Sequence, residues 1–366
     1  DHLIKKKIES IFGSMKKIRW WKNNNLLAEN KKIKFDIKKN YISNLERKLA
    51  KMLNVKYVVF TTSGSSALTL AFYSTDINIK KKIIIPNRTW VATAHAAYNL
   101  NYKIQLEDID YESMCQKIPI NQIKNQNDIS CLVLVSLNGR VNNINQINSI
   151  IKNKKIIIIE DNAQSFLSGE KKKYMNSKTK VACYSTGTTK LINTLQGGFC
   201  ATNDKKIYKK ILLARNHGVY DLFTDKWKTP GFNLKPNNFQ CYIGLSELKN
   251  AYKKKKQCIE INNLYLRNIK NKKIKLLTRD YKDGEFPIYV QALVDDRLKF
   301  KKYLSKKKIE IRYFPPSLNE AKYLSLNSKK NFKNSELLSK KGVYLPCGPS
   351  QDVKEIESVI KVINKY

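Results

Sequence analysis

Short, wholly apolar runs recur through the N-terminal part of the chain, each followed by a polar break and then a stretch with helical spacing. The run at 57–60 breaks at Thr61-Thr62-Ser63-Gly64-Ser65-Ser66 and passes into a helix-like segment at 67–73. The run at 83–85 ends at Pro86 and precedes a helix predicted over 89–99. Further runs lie at 104–106, 131–137 and 156–159, with shorter strands predicted at 181–185 and 199–202. Strands without polar alternation are buried on both faces, which a parallel sheet achieves with helices on either side. Ahead of them, Ile42, Leu45, Leu49 and Leu53 recur at helical spacing and predict an amphipathic helix over 41–54. After about residue 246 the texture changes. A lysine-rich helix predicted from Glu247 to about Lys270 leads into an irregular α+β region that ends in a helix near 353–363. The expected fold class is α/β: a large, mostly parallel sheet domain with helices on both faces, residues 1–246, and a smaller C-terminal α+β domain, residues 247–366.

The charge is lopsided, with 70 Lys and Arg against 30 Asp and Glu in 366 residues, a formal +40. Such a field attracts polyanions, but the lysine runs at 5–7, 80–82, 171–173, 253–256 and 306–308 are spread along the chain without interleaved aromatics. This favours a solvated surface over a dedicated nucleic-acid face. Seven cysteines, with no C-x-x-C, fit a reducing compartment. No apolar run approaches the roughly 20 residues of a membrane span, and no long apolar segment follows Asp1-His2-Leu3-Ile4, so neither a signal peptide nor a membrane partner is expected. The default location is cytoplasmic. Three isolated histidines and no spaced Cys/His cluster predict no metal site.

Ligands of a parallel α/β sheet bind beyond the carboxyl ends of its strands, and four features stand there. Ser63-Gly64-Ser65-Ser66 joins a strand to a helix; it is either a cradle of backbone N–H groups for a phosphate or an ordinary turn with a serine N-cap. Asp161 ends the apolar strand 156–159, with Gln164 three residues on; the carboxylate either faces the ligand crevice or caps a helix. Lys190 sits in the hydroxyl-rich segment Ser185-Thr186-Gly187-Thr188-Thr189-Lys190, unlike the lysines of the charged runs, and is followed by Gly197-Gly198. Trp90, at a predicted helix start, either stacks on a flat cofactor or belongs to the core. Neither a G-x-x-x-x-G-K-[ST] nor a G-x-G-x-x-G is present.

In this order, the chain from about Asn40 to its end resembles the DegT/StrS-type sugar aminotransferases, which use pyridoxal 5'-phosphate (PLP) on the fold-type I scaffold of aspartate aminotransferase. The resemblance is carried by Ser63-Gly64-Ser65-Ser66-Ala67-Leu68, Thr89-Trp90-Val91-Ala92-Thr93, Glu160-Asp161-Asn162-Ala163-Gln164 and Ser185-x-x-x-x-Lys190. Gly231-Phe232-Asn233, Arg312-x-x-Pro315-Pro316 and Leu345-Pro346-x-x-Pro349 extend it. It implies that Lys190 attaches PLP covalently and serves as the acid–base group, that Asp161 pairs with the pyridine nitrogen, that Gln164 bonds the phenolic oxygen and that Trp90 stacks on the ring. Gly64, Ser65, Ser66 and Ser185 would hold the phosphate. Asn233 would reach the phosphate bound in the partner subunit, implying a homodimer with shared active sites. The implied reaction moves an amine, from L-glutamate, to the ketone of a nucleotide-linked keto-deoxy sugar destined for surface polysaccharide or a glycoconjugate.

The chain departs from the family's pattern at Thr186, Gln196, Lys235, Ser136 and Arg88. Arg88 is expected either to bind an anionic group, the donor carboxylate or the acceptor diphosphate, or to lie paired on the surface; Arg312 is a second candidate substrate contact. Three other readings stay in view. Relatives that remove a sugar hydroxyl carry His in place of the lysine, so Lys190 points to amination. Asp108-Ile109-Asp110 after a strand offers the metal-assisted chemistry of a glycosyltransferase. A basic nucleic-acid-binding or regulatory protein is the non-enzymatic alternative.

Overall fold

The computed structural model describes residues 17–25, 27, 33–115, 117–125, 127–142, 144–151, 155–169, 179–223, 226–277, 284–325 and 331–366. The residues weighed for a signal peptide and the lysine runs at 5–7 and 171–173 lie outside this set.

Helix α1 (Tyr41–Leu53) forms where the leucine spacing predicts it. Asn40 caps its first turn by accepting from the Ser43 amide, and Asn54, at φ 54°, closes it in the left-handed conformation that Asn tolerates. Tyr41, Leu45, Leu49 and Leu53 form its buried stripe, each leucine contributing about 1.5–3 kcal/mol by leaving water. There follow β1 (Tyr57–Thr61), α2 (Gly64–Ser74), β2 (Lys82–Pro86), α3 (Ala92–Tyr98), β3 (Lys103–Glu107), β4 (Ile129–Val135), β5 (Ile157–Asp161), β6 (Thr179–Ser185), β7 (Gly198–Thr202) and α4 (Lys205–Arg215). These strands make one seven-stranded sheet in the order β1-β7-β6-β5-β4-β2-β3. β7 alone runs against its neighbours, so the sheet is mostly parallel, as expected, and the carboxyl ends of β1, β2, β4, β5 and β6 share one edge.

Successive strand residues point to opposite faces, and here they feed different cores. Val58, Phe60, Ala182 and Tyr184 pack on the side of α1, whereas Val59, Val181, Cys183 and Ile159 pack on the side of α2 and α4. That double burial is why the strands carry no polar alternation. By the same parity Asp161, two residues after Ile159, projects to the α3 side.

The lysine-rich helix differs from expectation. Two helices occupy the region, α5 (Asn238–Lys249) and α6 (Ala251–Asn268), broken at Asn250. The first begins earlier than predicted because Asn237 and Gln240 form a reciprocal capping box. Asn250 interrupts because its backbone (φ −103°, ψ 0°) leaves the helical region while its amide still satisfies the carbonyls of Glu247 and Leu248. A four-stranded antiparallel sheet follows, ordered β10-β11-β9-β8, from β8 (Ile274–Leu276), β9 (Gln291–Val294), β10 (Arg312–Tyr313) and β11 (Gly342–Tyr344). Helix α7 (Lys333–Lys341) precedes β11, and the chain ends in α8 (Val353–Asn364). One apolar cluster runs from α1 and β1 through α5 and α6 to this second sheet and α8. No helix among the described residues is long and apolar enough to cross a membrane.

Candidate active site

A cavity of about 510 Å³ opens at the shared carboxyl edge of the large sheet. Gly64, Ser65, Arg88, Trp90, Asp161, Gln164, Ser185, Lys190 and Arg312 all line it. Of the expected site residues only Ser66 and Asn233 do not.

At one end stands the start of α2. Ser63, extended at φ −163°, caps the helix by accepting from the Ser66 amide at 3.0 Å, and the Ala67 amide bonds the Ser63 carbonyl. The amides of Gly64 and Ser65 bond nothing among the described residues. Two free N–H groups at the positive end of a helix form an anion site. The Ser66 hydroxyl is turned back onto Thr62 and Ser63, at 2.8 and 2.9 Å. The glycines are a matter of clearance. A Cβ on Gly64 would stand 2.8 Å from that of Ser185, and one on Gly198 would stand 2.5 Å from the Gly64 nitrogen. Only bare backbone lets β6 and β7 pass this close under the turn.

Asp161 forms the floor. Its carboxylate is buried and accepts from the Thr93 hydroxyl at 2.6 Å and the Ala163 amide at 3.1 Å; Thr93 in turn bonds Thr89 at 3.0 Å. Burial raises the Asp161 pKa above the usual carboxylate value, opposed by the Thr93 bond, the Ala163 amide and the charge of Lys190. Gln164 is fixed through its Oε1, which accepts from the Asn138 amide at 3.1 Å. Trp90 is 59% exposed over the cavity, which excludes the core reading of that residue.

Lys190 is half-buried, and its ammonium makes no hydrogen bond or ion pair among the described residues. Burial lowers its pKa, while Asp161 and the Tyr344 phenol hold it up. Its backbone, by contrast, is clamped from every side. Trp21 donates to the Thr188 carbonyl at 3.1 Å and Tyr289 to that of Thr189 at 2.6 Å. Asn23 donates to the carbonyls of Lys190 and Leu191 at 2.7 and 3.3 Å. The Asn193 amide donates to Glu247 at 2.8 Å, and Glu247 pairs at 2.7 Å with Lys254, which also reaches Asn23 at 2.6 Å.

On the open side, Arg88 is buried rather than surface-paired, while Arg312 is exposed at the mouth over the Trp20 ring, 5.1 Å from its centre. Trp20, Tyr289, Tyr313 and Tyr344 complete the wall and were missed by sequence reasoning. Tyr344 had an available signal, since it adjoins the quoted Leu345-Pro346 motif; Trp20 stands in a stretch with no periodicity. Asn233 is exposed and forms a backbone bridge to Asn216. Asp108 of the D-x-D is committed elsewhere: its oxygens accept from the Asn334 and Ser335 amides at 3.0 and 2.9 Å at the start of α7. Among the described residues no cluster of three or more Asp, Glu, His or Cys side chains is placed to hold a metal ion. Asp108 thus tethers the start of α7, while Asp110 accepts from the Ser113 amide at 2.8 Å.

A sequence model of the DegT/DnrJ/EryC1/StrS aminotransferase family matches residues 22–364. The chain belongs to that family. It is 26% identical over 336 residues to the GDP-perosamine synthase of Escherichia coli O157:H7, covering 90% of this chain and 91% of that one. It is 25% identical to the UDP-4-amino-4,6-dideoxy-N-acetyl-beta-L-altrosamine transaminase of Campylobacter jejuni, covering 87% of each. Among solved structures, the E. coli GDP-4-keto-6-deoxy-D-mannose-3-dehydratase with bound hydrated PLP superposes with a TM-score of 0.82, at 21% identity over 95% of this chain and 100% of that one. The expected family, fold and aminotransferase class are borne out, and PLP is the family's cofactor. The cavity fits that cofactor on its own terms: two unbonded helix amides at one end, a buried carboxylate at the floor, an unbonded amine beside it and an exposed indole above.

Proposed function

We propose that this enzyme transfers an amine from L-glutamate to the ketone of a nucleotide-linked keto-deoxy sugar, in the cytoplasm, for surface polysaccharide or glycoconjugate synthesis. The observation that carries the reading is the unbonded Lys190 amine facing the cavity beside buried Asp161. PLP, when bound, supplies the electron sink for the carbon that bears the amine. Lys190 attaches the cofactor and moves the proton at its Nζ, and the lowered pKa suits that work. Asp161 holds the ring nitrogen, Gln164 the phenolic oxygen and Trp90 the ring face. The Gly64 and Ser65 amides with Ser185 hold the phosphate, and Ser66 acts behind them by fixing Ser63. The cofactor domain spans residues 1–246 and the smaller domain residues 247–366.

The working unit in this reading is a homodimer with its sites at the subunit interface. Asn233 is exposed, and Phe223 and Trp227, a few residues before it in sequence, are 96% and 74% exposed, apolar surface that suits a second copy of this chain. Some relatives are dehydratases; the lysine at 190 favours amine transfer over loss of a hydroxyl.

The test is product analysis with PLP, L-glutamate and a panel of nucleotide-linked keto-deoxy sugars. The reading predicts that one sugar exchanges its ketone for an amine while an equal amount of 2-oxoglutarate forms, and that Lys190→Ala does neither. A sugar that loses a hydroxyl without gaining nitrogen would overturn it.

A further inference from the structure

Arg88 is 4% exposed, yet it lines the cavity and has no carboxylate bonded to it among the described residues. Its guanidinium stacks over Phe314, 4.6 Å from the ring centre, and donates to the Pro315 carbonyl at 3.0 Å. It also hydrogen-bonds the Tyr344 phenol, which stands within electrostatic reach of both Arg88 and Lys190. The acidic group that Arg88 senses, Glu320, is committed to the Ser317 amide at 2.9 Å and the Ser339 hydroxyl at 2.6 Å. A guanidinium has five N–H donors, and none of its nitrogens is both sealed from the cavity and unbonded. The side chain itself lines the cavity. A buried cation without an anion is costly, and this one is held rigidly by stacking and by a backbone carbonyl, as a receptor for a planar oxyanion would be.

We propose that Arg88 is the receptor for the carboxylate of the amino-acid donor. The inference rests on the aminotransferase reading above and names the group that selects its donor. Two oxyanions compete for the assignment, the donor carboxylate and the acceptor diphosphate, and depth separates them. Arg88 lies inside, beside the phenol that also senses Lys190, and a donor carboxylate is one bond from the carbon whose amine is taken up there. A diphosphate is separated from the reacting ketone by the sugar ring and belongs nearer the mouth, where the Arg312 side chain is 61% exposed.

The test uses the PLP-loaded wild type with Arg88→Met and Arg88→Lys, titrated calorimetrically with glutarate, a dicarboxylate without an amine, and separately with UDP and GDP. Loss of one charge-assisted contact predicts glutarate binding about ten- to a hundredfold weaker in Arg88→Met, partly restored in Arg88→Lys, with nucleoside diphosphate binding unchanged. Unchanged glutarate binding overturns the proposal, as does a loss confined to UDP and GDP, which would give Arg88 to the acceptor. Equal loss of both, with a lowered melting temperature, would make Arg88 structural and overturn it too. A wild type that takes up no PLP would instead refute the aminotransferase reading, a distinguishable failure.

Discussion

Asp161 meets opposing demands. Its place at the end of a doubly buried strand aims the carboxyl at the cavity, and the same burial raises its pKa. A raised folded pKa means that the protonated form favours folding, so this contribution is present at low pH and lost as pH rises through the folded value. Cofactor-free Asp161→Asn, which has no charge to bury, should therefore melt above cofactor-free wild type at neutral pH. The gap should close as pH falls below the ordinary carboxylate range, while PLP retention through gel filtration is weaker in the variant. A melting gap independent of pH would show that the change acts through packing alone. This residue and Lys190 were legible in sequence because each follows an apolar strand, and strand ends of a parallel sheet converge. Thr93 was visible only as part of a motif. Its role depends on parity, since Asp161 and α3 must share a face before the hydroxyl can reach the carboxylate.

At the level of elements, the loop that carries Lys190 is anchored by buried Leu191 and Ile192 and held by carbonyl and amide contacts from Trp21, Asn23, Tyr289 and Glu247. The buried Glu247–Lys254 pair, at 2.7 Å with both side chains under a tenth exposed, ties α5 and α6 to that loop and to Asn23. Lys254→Met removes the cation from a buried carboxylate and should cost about 3–5 kcal/mol. Glu247→Leu combined with Lys254→Met should cost less than the single change, because the charges leave together. Denaturant unfolding of the two variants checks the order, and a larger loss in the double variant would contradict it. These contacts join residues far apart in sequence, so no local pattern announces them. The break between α5 and α6 was hidden because no Pro or Gly marks it: Asn250 stands between two segments that are both helical. The strands of the large sheet, by contrast, were read closely, because burial on both faces leaves an unbroken apolar signature.

For the whole molecule, the formal +40 raises local concentrations of anionic substrates without building a single face. The proposed dimer makes a sharper demand. If each site borrows Asn233 from its partner, Lys190→Ala and Asn233→Ala subunits, each impaired alone, form a mixed dimer in which one site holds both native residues. Activity should therefore reappear when the two are unfolded and refolded together, measured as 2-oxoglutarate formed; no recovery, with mixed dimers shown to be present, would contradict shared sites. The fold and the inner half of the site were legible because one chain supplies them through local strand–turn–helix units. The aromatic wall and the depth of Arg88 follow from how distant segments meet. A PLP site built on Lys190 is tested most directly by the visible absorption spectrum of the purified protein before and after L-glutamate. The purified protein should be yellow, with a visible band that is lost on adding L-glutamate and is absent from Lys190→Ala. A protein that stays colourless after incubation with PLP, or a Lys190→Ala variant that keeps the wild-type band, would contradict it.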